Sequence, residues 1–261
     1  MSRLAGVFEE CRSESRAALI GYLPAGYPTV EGSKDVLRTM VASGCDLVEV
    51  GLPYSDPVMD GSTIQLASEQ ALRGGFRVRD LFGVVESVAA HGGRAVVMTY
   101  WNPVLRYGVD AFARDLAAAG GLGLITPDLV PDEAQEWLAA SEAHDLDRVF
   151  LVAPSSTEER IDLTARSSRG FLYATSVMGV TGARDVVSSA APALVRRVRE
   201  HTDLPVAVGL GVRSGAQAAE LAAFADGVIV GSAFVTAVRD DRVAALAAEL
   251  AEGVRQVPTP A

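Results

Sequence analysis

The sequence predicts an α/β fold, a single (β/α)8 barrel preceded by a short extra N-terminal helix. The chain has 261 residues, close to the roughly 250 residues typical of one such barrel. Eight short apolar segments alternate with segments of helical periodicity, and short turns rich in Gly and Pro separate them. Eight strand–helix units close into a barrel more readily than they form an open sheet, so one domain is expected over residues 1–261.

The extra helix is predicted over residues 1–13, where Leu4, Val7, Phe8 and Cys11 recur at helical spacing. Strands and helices then alternate to the end of the chain. The strands are predicted at residues 18–22, 47–50, 95–99, 122–126, 148–152, 171–175, 206–209 and 227–230. The helices are predicted at residues 31–43, 63–72, 78–90, 109–119, 131–144, 157–167, 194–200, 214–224 and 243–254.

Composition and charge narrow the classes of function. The formal net charge is −10, which argues against a nucleic-acid surface or an anionic membrane, because both require clustered Lys and Arg. Two cysteines, Cys11 and Cys45, are too few for a disulfide framework. The first 14 residues carry charges where a secretory signal requires an apolar centre. These features predict a cytoplasmic protein.

The second predicted strand contains a carboxylate that needs an explanation. Glu49 interrupts the apolar run Leu47–Val50, and a carboxylate inside a buried strand is costly unless it is paired, hydrogen-bonded or protonated. Asp60 follows in a loop rich in Pro, Ser and Gly. Two such carboxylates at the carboxyl end of a barrel strand are suited to acid/base chemistry. Two alternatives stay open: Glu49 as a buried structural carboxylate, and Asp60 as a turn residue or helix cap.

Glycine-containing turns after the last two strands predict a phosphate site. Gly209-Leu-Gly211 follows the seventh strand and Gly231-Ser232 follows the eighth. Loops at these positions direct backbone amides at the carboxyl face of a barrel, where phosphates commonly bind. Gly182 could add a further amide. The alternative is that these glycines only permit tight turns. The segment 209–215 departs from the dinucleotide fingerprint in the spacing of its third glycine.

The distribution of lysine and histidine excludes several kinds of chemistry. The single lysine, Lys34, lies in a predicted helix, so a Schiff-base aldolase or a pyridoxal phosphate enzyme is not expected. The histidines His91, His144 and His201 lie near the ends of predicted helices and do not form a metal triad. No metal site is therefore predicted, and acid/base catalysis by carboxylates remains the best candidate.

The residues above resemble the tryptophan synthase alpha subunit family over nearly the whole chain. Residues 48–61, VEVGLPYSDPVMDG, look like the signature of that family. Shorter matches occur in the same order as in the family. They are Pro24-Ala-Gly-Tyr-Pro28, Met98-Thr-Tyr-Trp-Asn-Pro103, Pro127-Asp128, Gly179-Val-Thr-Gly182 and Gly209-Leu-Gly211.

The resemblance implies a lyase of tryptophan biosynthesis that cleaves indole-3-glycerol phosphate to indole and glyceraldehyde 3-phosphate. It implies that Glu49 transfers protons, that Asp60 accepts the indole N–H, and that Tyr173 supplies a further active-site hydroxyl. Tyr22, Tyr100, Ile125 and Phe171 would line the indole pocket. Gly182, Gly211, Gly231 and Ser232 would bind the phosphate.

The resemblance also implies a partner. The family passes indole to a beta subunit within an α2β2 heterotetramer, and the pyridoxal phosphate belongs to that beta subunit, with no cofactor in this chain. The loops 53–62 and 176–189 are expected to be mobile, with Asp56 and Thr181 linking closure to the partner. Met59, Ser62 and Val177 depart from residues frequent in the family.

Three other functions stay open at the level of the sequence. The chain could be a free-standing indole-3-glycerol phosphate lyase, or a catalytically idle barrel that serves as a regulatory subunit. Analogy with the fold alone would also allow an isomerase of a phosphorylated sugar. Retention of both Glu49 and Asp60 argues against an idle barrel.

Overall fold

A parallel β-barrel forms the centre of the molecule. The computed structural model describes residues 2–175, 190–209 and 211–256. Its strands are β1 (Ala18–Pro24), β2 (Leu47–Gly51), β3 (Ala95–Met98), β4 (Gly123–Ile125), β5 (Asp147–Val149), β6 (Leu151–Val152), β7 (Leu172–Thr175), β8 (Val206–Gly209) and β9 (Gly227–Val230). Seven of these strands each match one predicted segment to within two residues at either end.

The exception is the predicted fifth strand, which the structure divides into β5 and β6 at Phe150. The strand order is β5-β4-β3-β2-β1-β9-β8-β7-β6, and all strand pairs are parallel. β5 pairs with β4, and β6 pairs with β7. Because only one residue separates β5 from β6, residues 147–152 act as one strand that joins both ends of the sheet. The described residues thus form the predicted (β/α)8, or TIM, barrel.

The helices surround this sheet. They are α1 (Arg3–Ser13), α2 (Val30–Ala42), α3 (Ser62–Arg73), α4 (Val78–Ala89), α5 (Trp101–Tyr107), α6 (Val109–Ala118), α7 (Gln135–Ala143), α8 (Glu158–Ser167), α9 (Ala190–Arg199), α10 (Gly215–Ala222), α11 (Ser232–Arg239) and α12 (Val243–Gly253). A 3-10 turn, Pro131–Glu133, precedes α7.

Two of these helices, α5 and α11, were not predicted from the sequence. Pro103 lies at the third position of α5, where the backbone N–H that proline lacks would have no partner within the helix, so proline is compatible with this position. The segment of α11 continues the apolar run of β9 and gives no polar boundary in the sequence. Both short helices follow directly from strand ends and therefore lie at the carboxyl face of the barrel.

The extra helix α1 covers the opposite face, at the amino ends of the strands. Its apolar residues Leu4, Val7, Phe8 and Cys11 are buried, and the Phe8 ring lies 5.2 Å from that of Phe171 between centroids. These side chains join the interior cluster of the barrel. The larger apolar cluster lies between the sheet and the outer helices.

The start of α1 is fixed by a buried carboxylate at the beginning of β5. Asp147 Oδ2 accepts hydrogen bonds from the Leu4 N–H, at 2.9 Å, and from the Ser2 hydroxyl, at 2.8 Å. Arg169 Nε lies 2.9 Å from Asp147 Oδ1 and forms an ion pair with this carboxylate.

Within the described ranges, no helix has the length and apolarity needed to cross a membrane.

We expect Phe8→Ala to lower the free energy of unfolding by about 3–5 kcal/mol, because it removes a fully packed ring from the base of the barrel. Urea unfolding followed by circular dichroism measures this difference. Leu66→Ala, at a side chain that is 62% exposed on α3, is the control and should change the stability by less than about 0.5 kcal/mol. Equal stability of the two variants would contradict the proposed role of α1.

Candidate active site

Glu49 lies inside the barrel near the carboxyl end of β2. It pairs in register with Tyr22 of β1 and Val96 of β3, and only 1% of its surface is exposed. Its Oε1 atom has no hydrogen-bond partner among the described residues. Burial raises the pKa of the Glu49 carboxyl from its ordinary 4.5 to about 8. Glu49 therefore holds a proton near neutral pH and can both give and take one.

Two tyrosines flank Glu49, and each occupies space left by a glycine on the next strand. A Cβ atom on Gly51 would overlap the Tyr22 hydroxyl, and a Cβ atom on Gly209 would overlap the Tyr173 hydroxyl. Burial is the main cause that raises the pKa of each tyrosine well above 10, and the charge of Glu49 adds to it in both. Both phenols are therefore neutral and can act as hydrogen-bond donors.

Asp60 is half-buried at the end of the loop after β2 and is held by Tyr100. The Tyr100 hydroxyl donates a hydrogen bond of 3.1 Å to Asp60 Oδ1 and accepts one of 3.0 Å from the Met59 N–H. Burial raises the pKa of the Asp60 carboxyl, and the Tyr100 hydrogen bond opposes that rise. Gln65 Nε2 donates to the Asp60 carbonyl oxygen at 2.8 Å. The Tyr100 hydroxyl thus orients the carboxylate, and Gln65 holds the backbone of the same residue.

The loops after β2, β3 and β4 are joined by contacts that the sequence did not suggest. The Tyr54 ring packs 5.3 Å from that of Tyr100, and Asn102 Nδ2 donates to the Tyr54 hydroxyl at 3.1 Å. Asp128, after β4, accepts the backbone N–H of Trp101 at 2.8 Å. In the sequence, residues 127–128 and 102–103 are recognisable only as family motifs. Their positions show that they fix the first turn of α5 beside the Asp60 loop.

The predicted phosphate turns follow β8 and β9, and the second of them forms the start of α11. Gly231 is the N-cap of this helix and Ser232 is its first residue, and no side chain caps the helix start. Gly211, after β8, has a φ of 41°, a left-handed conformation that glycine adopts without strain. A cavity of about 490 Å³ extends from the start of α11 to the start of α3. Its polar lining consists of Ser62, Thr63, Arg213, Ser232, Thr236, Asp240, Arg242 and Glu249.

Arg213 is one of the residues of this cavity that the sequence analysis did not single out. It follows Gly211 by two positions, so a search for cations near the glycine turns could have found it. The helix start supplies backbone N–H groups and the positive end of a helix dipole, and Arg213 adds a full positive charge to the same cavity. Asp240 and Glu249 line the same cavity with negative charge, so the part suited to an anion such as a phosphate is the helix start with its backbone N–H groups.

The structure separates the other predicted site residues into three groups. Ile125, the last residue of β4, is fully buried among the interior side chains of the barrel. Phe171 belongs to the same cluster but packs against Phe8 of α1, so it lies toward the amino ends of the strands. Its predicted place in the indole pocket is therefore wrong, because Asp60 lies at the carboxyl ends. Thr181 and Gly182, with the rest of the loop 176–189, lie outside the described residues.

Asp56 is exposed in the loop after β2, where its Oδ2 accepts the Ser55 hydroxyl at 2.6 Å. It does not contact Asp60, so its predicted part in partner signalling stays a prediction. The three histidines lie at or just after helix ends, as predicted. No group of three or more His, Cys, Asp or Glu side chains in the described ranges is arranged to hold a metal ion.

Comparison with known proteins adds to this geometry. The family model described as "Tryptophan synthase alpha chain" matches residues 8–257. The chain belongs to the tryptophan synthase alpha chain family. Among curated family members, the alpha chain of Nocardia farcinica is 69% identical over 256 residues, covering 97% of this chain and 96% of that protein. The alpha chain of Mycobacterium tuberculosis is also 69% identical over 256 residues and is covered to 95%.

Solved structures of the tryptophan synthase alpha family share the fold over the same length. A structure of Mycobacterium tuberculosis tryptophan synthase superposes with a TM-score of 0.94 at 68% identity, covering 97% of this chain and 98% of that one. A tryptophan synthase alpha subunit from Legionella pneumophila superposes with a TM-score of 0.90 at only 29% identity, covering 98% and 100%. The barrel is thus retained in the family across a wide range of sequence identity.

The raised pKa of Glu49 predicts a pH-dependent stability. Between about pH 4.5 and 8 the folded protein keeps a proton on Glu49 that the unfolded chain releases. The stability that this proton gives is full below pH 4.5 and is lost as the pH rises through 8, by up to about 1.4 kcal/mol per pH unit. We expect Glu49→Gln to remove this loss.

Urea unfolding of the unmodified chain and of Glu49→Gln at pH values from 5 to 9 measures the effect. The difference in unfolding free energy should shift in favour of the variant as the pH rises. Glu86→Gln, an exposed position on α4, is the control and should follow the unmodified chain. A pH-independent difference for Glu49→Gln would show that the carboxyl titrates at its ordinary value.

Proposed function

We propose that this chain catalyses the cleavage of indole-3-glycerol phosphate to indole and glyceraldehyde 3-phosphate, as the lyase subunit of tryptophan synthase in tryptophan biosynthesis. The observation that carries the proposal is Glu49, a buried carboxyl with a pKa of about 8, between two tyrosines and near Asp60. Family membership over residues 8–257 supports the same reaction.

Glu49 moves the proton in both halves of the reaction. The protonated carboxyl first delivers its proton to indole C3, which gives an indolenine with positive charge on nitrogen. The carboxylate then removes the proton of the side-chain hydroxyl next to C3. The electron pair of that O–H bond forms the aldehyde C=O, and the electrons of the breaking C–C bond return to the indole ring. Protons and electrons balance, and Glu49 ends in its starting state.

Asp60 stabilises the charge that develops on the indole nitrogen. Its carboxylate accepts the indole N–H, and the attraction strengthens as C3 is protonated and the nitrogen becomes positive. Tyr100 supports this role because its hydrogen bond to Oδ1 holds the carboxylate in one orientation and favours its charged form. Tyr22, Tyr100 and Ile125 border the pocket for the ring, and Tyr173 supplies a neutral hydroxyl beside Glu49.

The phosphate binds at the start of α11 in this proposal. Gly231 and Ser232 offer backbone N–H groups and a hydroxyl, and Gly211 allows the chain after β8 to approach closely. Gly182, outside the described residues, would add an amide from the loop 176–189. The whole chain 1–261 would then act as a single domain, with the loops 53–62 and 176–189 closing over the substrate.

The same proposal includes a partner subunit. Similar solved structures are of tryptophan synthase, and three side chains with large apolar exposure lie in or next to adjacent loops at the carboxyl face: Val58, Leu105 and Val130, which are 71%, 55% and 43% exposed. We call these three residues the apolar rim. Exposed apolar side chains in neighbouring loops are a feature of protein interfaces.

The partner proposed for the apolar rim is a tryptophan synthase beta subunit, which holds the pyridoxal phosphate and uses the indole. An α2β2 heterotetramer in the cytoplasm is the proposed assembly. Asp56 lies two residues from Val58, and Thr181 would face the Asp60 loop on closure, so both are placed in the proposal to couple the two subunits. This chain then needs no cofactor of its own.

We expect Glu49→Gln and Asp60→Asn each to lower kcat for indole-3-glycerol phosphate by at least about a hundredfold, because each removes a group that acts on the reacting atoms. Release of indole by the purified chain, with and without a beta subunit, measures this. Glu86→Gln is the matched control and should keep full activity. Near-normal turnover in Glu49→Gln would overturn the mechanism, and absence of turnover in the unmodified chain, with and without the beta subunit, would overturn the function.

We expect Leu105→Asp to weaken association with the beta subunit at least about tenfold, because a charge placed in an apolar interface is desolvated without a partner. Isothermal titration with the beta subunit measures the affinity. Cleavage of indole-3-glycerol phosphate by the isolated variant should stay at the level of the unmodified chain. Leu66→Asp introduces the same charge on the outer helix α3 and should leave association unchanged. Equal affinity of both variants would exclude the apolar rim as the interface.

A further inference from the structure

The Tyr22 side chain connects the two ends of the proposed substrate site. At one end, its Cβ and Cδ1 atoms approach the position of a Cβ on Gly231 to 3.8 and 3.6 Å. At the other end, its hydroxyl lies over Gly51, where a Cβ would overlap it. Because β9, β1 and β2 are neighbours in the sheet, the ring extends across the carboxyl end of β1 from the start of α11 to the strand of Glu49.

The hydroxyl of Tyr22 lies among the groups of the proposed chemistry. Tyr22 pairs in register with Glu49, and the charges of Asp60, Glu49, Tyr100 and Tyr173 all act on it. The side chain is 8% exposed. None of the hydrogen bonds between described residues uses its hydroxyl, so the group is available to a ligand.

The substrate has to pass this hydroxyl. In the proposed function, indole-3-glycerol phosphate places its ring between Glu49 and Asp60 and its phosphate at Gly231 and Ser232, so the two hydroxylated carbons lie between those positions. A purely apolar wall would be provided equally well by phenylalanine, which does not lose the hydration of a phenol on burial. The buried hydroxyl of Tyr22 therefore indicates that the part of the ligand beside it carries a polar group.

We infer that the Tyr22 hydroxyl hydrogen-bonds the glycerol hydroxyls of the substrate and selects for a hydroxylated chain between the indole and the phosphate. The inference rests on the proposed function. A neutral phenol suits this task because it can donate to one oxygen and accept from another. The tyrosine binds the substrate directly, while Glu49 retains the proton transfer.

Tyr22→Phe tests the inference because it removes one oxygen and keeps the ring in contact with Gly231. We expect kcat/KM for indole-3-glycerol phosphate to fall about five- to tenfold, as for a lost hydrogen bond. The affinity for 3-(indol-3-yl)propyl phosphate, which keeps the indole and the phosphate but lacks both hydroxyls, should stay within about twofold. Tyr27→Phe is the control at a tyrosine that is 5% exposed just beyond β1, and it should change neither value.

A second measurement separates binding from turnover. In a Glu49→Gln background the substrate stays intact, so isothermal titration gives its affinity with and without Tyr22→Phe. Weaker binding of indole-3-glycerol phosphate alone supports the inference. Unchanged binding of that substrate, or an equal loss for both compounds, overturns it, because the second result would show a packing effect. If the unmodified chain does not cleave the substrate, the proposed function fails instead, and the two titrations still decide the role of Tyr22.

Discussion

The enclosure of the Glu49 carboxyl is the constraint on which the rest of the site depends. An ionised carboxylate at this depth would be strongly destabilised, so burial converts it into an acid that keeps its proton at neutral pH. The surrounding strands have to exclude water and still leave room for a ligand. The tyrosine–glycine pairs meet both needs, because Tyr22 and Tyr173 cover Glu49 while Gly51 and Gly209 leave space for their hydroxyls.

The sequence predicted the barrel well because its strands are short, apolar and regularly spaced. Eight segments with helices between them allow few other parallel arrangements. The division of one strand at Phe150 could not be predicted, because it depends on how the two ends of the sheet meet. The helices α5 and α11 were missed for local reasons: α5 has only seven residues and contains Pro103, and α11 continues the apolar pattern of β9.

Parts of the site were predictable for a different reason. Glu49 was predicted because a carboxylate in an apolar strand is unusual. The glycine turns were predicted because they follow the seventh and eighth predicted strands. The Tyr100–Asp60 hydrogen bond joins residues 40 positions apart, so only the fold reveals it. Phe171 shows the limit of strand alternation: it shares a face with Tyr173, but alternation does not tell which of the two lies near α1 and which lies near Glu49.

The division of the strand at Phe150 determines what cleavage of the chain at this point would expose. The segment 147–152 pairs with β4 through its first half and with β7 through its second half. Among the described residues, the two halves of the chain are also joined by the pairing of β1 with β9 and by an isolated antiparallel bridge between Arg148 and Arg169. A cut near Phe150 would therefore give two fragments, each with two unpaired parallel edges. Such edges are templates for intermolecular β-pairing, so closure of the barrel is also what keeps this apolar sheet from aggregating.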